Sequence, residues 1–498
     1  MAQNTVVPNH TSRLTRGRLS GTMDRKVQAF MSSFAEDAAL VDIDVDVGEA
    51  HAIGLARAGV IPRADLKRVL RAFEAARRRA RALLNSGRAG RDFHDIHPVI
   101  EKLVASRAGE KAGGMVHLGK SRNDQVAADI AIYSRRATAD VLREVSGLAA
   151  ALERLAASGG LVPAFTHARA AQAVTAAEFA LAHAAALGRD AERLGAAVGR
   201  LNRSPLGGAA VGGTSVPVDR RLVARLLGFP RVAALPVDAT GSRDCVVELM
   251  AALAILQGTL SRLAADIMFL SADGTGVLEY PDALADTSSA MPQKKNPDPL
   301  ELVRARAGAV AGALSGALAI THGLVSGYSR DLQELKPLLW GALRTVRDSA
   351  AITALAVSGV RVVPGAADRV VARGYAEALD LAEFLSLKKG VPFRRAHFAV
   401  GRLIRHLAAT GRGLREAGAT EAAQVIGREA GRPVAITGAE YRAAIEPAVA
   451  AARRSAVSAR GSASGPRAAD IRRMAERMGR AEAAAGRALA AAVRKLSR

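Results

Sequence analysis

An all-α protein is predicted from three observations. Ala, Leu, Arg, Glu and Val are abundant while aromatic residues make up only 3% of the 498 positions, a palette that favours long, closely packed helices over sheets. The apolar share of 49% excludes a mainly disordered chain and is enough for a large core in two or three units. Long runs of helical periodicity then follow one another, separated by Gly, Pro and Ser.

In chain order, residues 1–20 are polar and expected to fray. From residue 23 to about 84 the pattern is helical, and Ile61-Pro62-Arg63-Ala64-Asp65 reads as a helix start ahead of Leu66, Val69, Leu70 and Phe73. A Gly-rich turn at 86–90 leads through His94-Asp95-Ile96-His97-Pro98 to an amphipathic helix from Val99. The longest signal covers about 124–157, roughly 50 Å of rod at 1.5 Å per residue. Comparable runs are predicted over about 170–202, 243–271, 299–325 and 331–357, and five such rods argue for a central bundle. Beyond Val363-Pro364-Gly365 the helices shorten, at about 367–388, 394–410 and 415–430, with a last Ala-, Arg- and Glu-rich helix after a polar loop at 460–466. The resulting division is 1–115, 116–363 and 364–498.

The formal net charge is +23. Its basic residues are dispersed, and clusters such as Arg77-Arg78-Arg79 share their helices with acidic groups while stacking aromatics are scarce. Attraction of anionic substrates is expected rather than nucleic-acid binding. The single cysteine, Cys245, excludes an internal disulfide framework and a Cys-based zinc cluster, and a cytoplasmic location is expected. No metal site is called for. The longest apolar stretch, 307–321, is short, rich in Ala and Gly and bounded by Arg306 and His322. It reads as a helix buried among others rather than a membrane span, and the N-terminus lacks a signal-peptide pattern.

Four polar clusters fall at the ends of the predicted rods. The richest, Ser288-Ser289-Ala290-Met291-Pro292-Gln293-Lys294-Lys295-Asn296-Pro297, gathers hydroxyls, ammonium groups and carboxamides ahead of a helix. Asp298 is the expected N-cap there, with Pro299 in the first turn and Glu301 closing a capping box. Such an array suits a substrate carboxylate near a helix N-terminus. The others are Ser121-Arg122-Asn123-Asp124-Gln125, Thr166-His167, and Tyr328-Ser329-Arg330-Asp331-Leu332-Gln333-Glu334-Leu335-Lys336. Each has a plain alternative: Ser121 with Asp124 as a simple cap, His167 as a surface histidine, Lys294-Lys295 as a solvated charge run. The Gly-rich run 205–214 lacks the lysine of a nucleotide P-loop and is expected to turn tightly or approach a ligand.

These motifs resemble the argininosuccinate lyases, a family within the fumarase/aspartase superfamily, from about residue 23 to the C-terminal helix. The superfamily signature is carried by Ser288 to Asn296. His94-Asp95-Ile96-His97, Ser121 to Gln125, Thr166-His167, Ser204-Pro205-Leu206-Gly207, Ser242-Arg243-Asp244, Asp331-Leu332-Gln333-Glu334 and Lys389-Gly390-Val391-Pro392-Phe393-Arg394 match in order. The resemblance implies a three-domain fumarase/aspartase-like fold whose long-helix bundle assembles a homotetramer, with active sites shared among subunits. It implies a small-molecule substrate and no cofactor.

The implied reaction is reversible cleavage of 2-(N-arginino)succinate to arginine and fumarate through a doubly charged aci-carboxylate. By similarity Ser288 is the base, Lys294 stabilises the charge, and His167 paired with Glu301 delivers a proton or organises the acid. Ser121, Asn123, Thr166, Lys294 and Asn296 would hold the fumarate part. Ser33, Asp37, Arg243, Tyr328, Gln333 and Lys336 match the amino-acid end, and His97 and Arg122 join the substrate-binding set. The chain departs from the family pattern at Thr287, Leu118, Lys120, Ala168-Arg169-Ala170 and Leu335. These changes fit drift, or a paralogue acting on another N-substituted aspartate or succinate.

Overall fold

The computed structural model describes residues 18, 23–85, 95–458 and 467–497. Most of the polar opening, the predicted turn at 86–90 and the 460–466 loop lie outside them. The helical pattern from 23 to 84 is four helices, α1 (Arg25–Phe30), α2 (Phe34–Asp37), α3 (Val41–Arg57) and α4 (Arg63–Asn85), the last beginning within the expected start at Ile61 to Asp65. Two more follow, α5 (His97–Ala108) and α6 (Glu110–Gly114).

The bundle opens with α7 (Arg122–Ala157), which is capped as its sequence suggests. Ser121 Oγ accepts the Asn123 N–H at 3.3 Å, and Asp124 accepts the Ser121 N–H at 2.9 Å. Next comes a hairpin, β1 (Leu161–Thr166) and β2 (Arg169–Thr175), ahead of α8 (Ala176–Leu201). The sequence assigns the β2 residues to the helix, and the structure corrects this. Thr175 Oγ1 takes the Glu178 N–H at 3.0 Å in a capping box, so α8 cannot start earlier. The residues before it pair with β1 instead, across a bulge at Ala171.

The short helices α9 (Arg220–Leu226) and α10 (Pro236–Gly241) precede α11 (Asp244–Ser271). Strands β3 (Leu278–Glu279), β4 (Asp286–Thr287) and β5 (Lys295–Asn296) then lead to α12 (Asp298–Thr321) and α13 (Leu335–Gly359). The last rod is preceded by a 3₁₀ turn, Arg330–Glu334. Strand β6 (Arg361–Val362) pairs with β3, and β4 with β5. Asp298 proves to be the first residue of α12, not its cap; Pro297 holds the cap position without a side-chain bond.

Helices α7, α8, α11, α12 and α13 alternate in direction and pack on one another around Leu142, Leu152, Leu187, Leu194, Leu249, Leu256 and Leu339. Tyr133 and Trp340 meet between α7 and α13 with ring centroids 3.9 Å apart. One rod departs from expectation. Only Leu300, Val303, Val310 and Ala317 of α12 are buried, although two helices, α11 and α12, are long and apolar enough to cross a membrane. Leu302 and Leu318 are 54% and 53% exposed, and a methyl group added at Gly308 or Gly312 would touch nothing.

After Gly365 come α14 (Ala366–Arg373), α15 (Ala378–Lys389), α16 (Phe393–Ala408), α17 (Ala419–Ala430), α18 (Gly438–Ile445) and α19 (Pro447–Ser458). The predicted 367–388 helix is broken where Tyr375 adopts φ +51°. A separate core of Leu381, Leu385, Leu403, Ile426 and Tyr441 forms here. The last helix, α20 (Ala468–Ser497), returns to the main core through Ile471, Ala475, Leu489 and Val493. Its Glu482 takes the Arg135 Nε–H of α7 at 2.6 Å.

Candidate active site

Because the rods alternate, their polar termini collect at two opposite ends of the bundle. Helix α7, with 36 residues, separates the ends by about 50 Å.

The first end holds the hydroxyl loop. The two rungs of β4 and β5, Asp286 opposite Asn296 and Thr287 opposite Lys295, close a hairpin over 288–294. Inside it Ser288 is half-buried and its Oγ accepts the N–H groups of Ala290 at 3.2 Å and Met291 at 3.1 Å. Lys294 is exposed at the same tip. The neighbouring ammonium is committed elsewhere, because Lys295 Nζ binds Glu279 at 2.8 Å and Asp282 at 2.6 Å and so fixes the base of the loop. The turn ahead of the loop, Asp273 to Gly276, is pinned, with the Thr275 and Gly276 N–H groups on the Ala272 carbonyl at 2.9 and 2.8 Å. Asn296 is half-buried in β5, and Glu301 is exposed in the first turn of α12.

The imidazole of the same end sits at a hairpin corner. Thr166 pairs with Arg169, leaving His167 and Ala168 as a two-residue loop with φ +51° and +59°. This is the left-handed pair that a tight hairpin requires and that Gly or Asn usually supplies. Both residues are exposed. Phe165 seats the corner by an edge-to-face contact with Phe269 near the end of α11, at 4.9 Å between centroids.

The opposite end gathers the remaining candidates. Asn123 donates through Nδ2 to the Ala210 carbonyl at 2.7 Å, and Asp124 Oδ2 accepts the N–H groups of Gly207 and Ala209 at 3.0 and 2.9 Å. The Gly-rich run is thus a loop strapped to the start of α7. Arg122 Nη1 lies 3.2 Å from Asp95 Oδ2. Ser33, Asp37 and Lys336 meet: Ser33 donates to Asp37 Oδ2 at 2.8 Å, and Lys336 forms a buried ion pair with Asp37. In this arrangement Asp37 and Lys336 neutralise each other. Gln333 donates to the Met31 carbonyl at 3.4 Å, holding the N-terminal segment on the approach to α13.

Arg243 is a buried cation with donors to spare. Its Nη1 donates to the carbonyls of Thr240 and Ser242, at 3.2 and 2.7 Å, while Nε and Nη2 are buried without partners. Burial lowers its pKa to about 10, with Tyr328 opposing; burial also raises Tyr328, with Arg243 opposing. A cleft of about 710 Å³ beside it is lined by Gly241, Arg243, Leu318, Val325 and Leu332. A guanidinium with unpaired donors beside such a cleft has the chemistry to take a carboxylate that reaches those buried donors.

His97, expected among the substrate ligands, is 4% exposed and lies 2.9 Å through Nδ1 from Asp44, with Asp129 3.8 Å away. Asp44 and Asp129 were not singled out by sequence. The signal that could have found them is their place in apolar helical stripes: Asp44 has Leu40, Val41, Val47 and Gly48 at helical spacing, and Asp129 sits between Ala128 and Ile130. The three groups fall within 4.8 Å of one another, a spacing a metal ion could span. Burial opposes a proton on the imidazole, but Asp44, Asp95 and Asp129 together raise its pKa to about 9, which favours an imidazolium paired with Asp44 over a ring nitrogen free to ligate.

The chemistry of the two ends is complementary. A hydroxyl held by two amides, an ammonium, an imidazole and a carboxylate stand at one end; donors for a carboxylate and a guanidinium cleft stand at the other.

Known proteins share this architecture and its sequence. The lyase family pattern matches residues 17–312, and the argininosuccinate lyase C-terminal pattern matches 375–452. The chain is 41% identical over 410 residues to the argininosuccinate lyase of Moorella thermoacetica, covering 81% of this chain and 87% of that one. It is 39% identical over 404 residues to the enzyme of that name from Thermus thermophilus, covering 80% and 87%. Among solved structures, an EDDS lyase with bound fumarate matches at TM-score 0.80 and 24% identity over 97% of both chains. The class II fumarase of Schistosoma mansoni matches at TM-score 0.68 and 16% identity, over 83% of this chain and 91% of that one. These two likenesses concern the fold.

Proposed function

We infer the chemistry of this chain from the premise that it belongs to the argininosuccinate lyase family: it is a carbon–nitrogen lyase that reversibly cleaves 2-(N-arginino)succinate to L-arginine and fumarate. The observation that carries this is the 41% identity over four-fifths of the chain to an argininosuccinate lyase. The departures at Thr287 and Ala168 to Ala170 therefore read as drift.

The assignment of roles is ours. Ser288 removes the proton next to the carboxylate. Its two N–H partners each stabilise an oxyanion by roughly 1.5–3 kcal/mol, and the Lys294 ammonium supplies further positive charge. His167 with Glu301 serves the leaving nitrogen. Ser121, Asn123, Thr166, Lys294 and Asn296 grip the fumarate part, and Arg243, Tyr328, Gln333, Ser33, Asp37 and Lys336 shape the arginine end. Incubation with argininosuccinate should raise fumarate absorbance at a rate proportional to enzyme; an inert enzyme that turns over another N-succinyl compound would reject this substrate.

A homotetramer is part of the same reading, supported by the separation of the two ends and by the bare apolar face of α12. Two antiparallel copies would bring the hydroxyl loop of one to the carboxylate-gripping end of another. Ala305, Gly308, Ala309, Gly312 and Ala319 line one exposed face of α12, and small side chains allow close helix approach. Gly312→Leu would overpack that approach at about 1–3 kcal/mol per contact. It should yield smaller species by light scattering and lose turnover with them; a tetramer of full activity would remove α12 from the interface.

The division into 1–115, 116–363 and 364–498 is proposed with α20 returning to pack on the bundle. A cytoplasmic setting is proposed too. Cys245 is half-buried, and burial, with Asp244, pushes its thiol up to about 11, a form unsuited to disulfide exchange.

A further inference from the structure

Beneath the first turn of α7 lies a group of buried ionisable side chains that the elimination does not use. Asp44 on α3, His97 at the start of α5 and Asp129 on α7 are 1%, 4% and 0% exposed. The Gln125 amide of α7 donates to Asp44 Oδ1, the same oxygen that lies 2.9 Å from His97 Nδ1. Three helices are therefore joined at one carboxylate. Both oxygens of Asp129, and His97 Nε2, are buried without a hydrogen-bond partner. The cluster also reaches the surface: Asp95 Oδ1 accepts the His97 N–H at 3.1 Å, and its Oδ2 holds Arg122.

The charges facing this cluster come from every side. Burial opposes a proton on His97, but Asp44, Asp95 and Asp129 together hold its pKa up to about 9. Burial raises Asp44, and His97 and Lys120 more than offset it, leaving it below its usual value. Burial pushes Asp129 well up, with Asp44 and Asp37 adding to the rise and His97 and Lys120 opposing it. Glu101, His117 and Lys120 line a small void beside Asp44 and His97. Uncovering an unpaired charge here has no solvent to relieve it.

We propose that Asp44 is a positioning residue for the elimination, with Asp129 in support: through Gln125 and the imidazolium of His97, Asp44 rivets the first turn of α7 to α3 and α5, while Asp129, one turn further along α7, faces His97 at 3.8 Å, and the rivet so fixes where Ser121 and Asn123 meet the fumarate carboxylate. The proposal rests on the reading of Ser121 and Asn123 as carboxylate ligands, and it moves His97 from ligand to positioning group. Helix α7 is continuous from these ligands through Asp129, so a slackened rivet displaces the ligands with it. Displaced carboxylate ligands weaken the grip on substrate most directly, which reads as a rise in KM.

The folded pKa of His97, about 9, lies above the ordinary value of 6.5. The imidazolium contribution is therefore complete below the lower value and is lost as pH rises through the higher one.

The test measures kcat and KM for argininosuccinate from pH 7 to 10, with amide-exchange protection of residues 122–125 alongside. In the unaltered enzyme KM should rise about tenfold across pH 9 while kcat changes less, and protection should fall over the same range. His97→Gln should start with the raised KM at pH 7.5 and stay flat; an alkaline rise like that of the unaltered enzyme overturns the proposal. Should His97→Gln not fold, the isosteric Asp129→Asn serves. Its KM rise should have a midpoint below that of the unaltered enzyme, since Asp129 helps hold the His97 pKa up, and an unmoved midpoint also overturns the proposal. An enzyme inert toward argininosuccinate that still shows the protection change would sink the functional reading and leave the rivet standing. Turnover with neither change would do the reverse.

Discussion

Replacing Ser288 by Ala is expected to lower turnover of argininosuccinate by about 10³–10⁴-fold, the scale of a lost general base. Assembly should survive. The Ser288 hydroxyl is half-buried and bonded only to the local N–H groups of Ala290 and Met291, so the fold loses about 1 kcal/mol or less. The two amides then remain as an empty cradle, and substrate should still bind with nearly unchanged affinity. Fumarate release under single-turnover conditions, with thermal melting as the control, measures both halves. Turnover within tenfold of the unaltered enzyme would remove Ser288 as the proton acceptor.

The second large effect is a recovery. On the proposed roles, Asn123→Ala removes a carboxylate donor from one end of the bundle, and Ser288→Ala removes the base from the other. Each variant alone should be nearly inactive. Co-expressed, they should form mixed assemblies in which about a quarter of the sites draw an intact loop from one chain and an intact α7 terminus from another. Purified mixed assemblies should then regain roughly that fraction of activity. If activity stays at the sum of the two single variants, every site is built within one chain, and the opposed ends of the bundle must be joined in some other way.

The rods were legible in the sequence because Ala and Leu recur at helical spacing between Gly and Pro, and because each terminus carries its own polar signal. The hairpin was not. Arg-Ala-Ala-Gln-Ala-Val-Thr over 169–175 reads as helix by propensity, and only pairing with β1 and the Phe165–Phe269 contact override it. The bare face of α12 was hidden for another reason: an apolar stripe states that a surface wants cover, not whether the cover is the same chain. Ser288, Lys294 and His167 were visible as polar residues where a bundle needs none. Asp44 and Asp129 were not, since a buried acid in an apolar stripe shows its partners only once α3, α5 and α7 are packed together.

The left-handed corner at His167 and Ala168 carries one more consequence. The imidazole is aimed by the peptide itself, since the antiparallel rungs below the corner dictate both backbone angles. Side chains on the strands below it can therefore be exchanged provided the ribbon still closes, while the corner itself keeps residues that tolerate a left-handed backbone. That makes this stretch a natural place to graft new surface chemistry without re-aiming the ring.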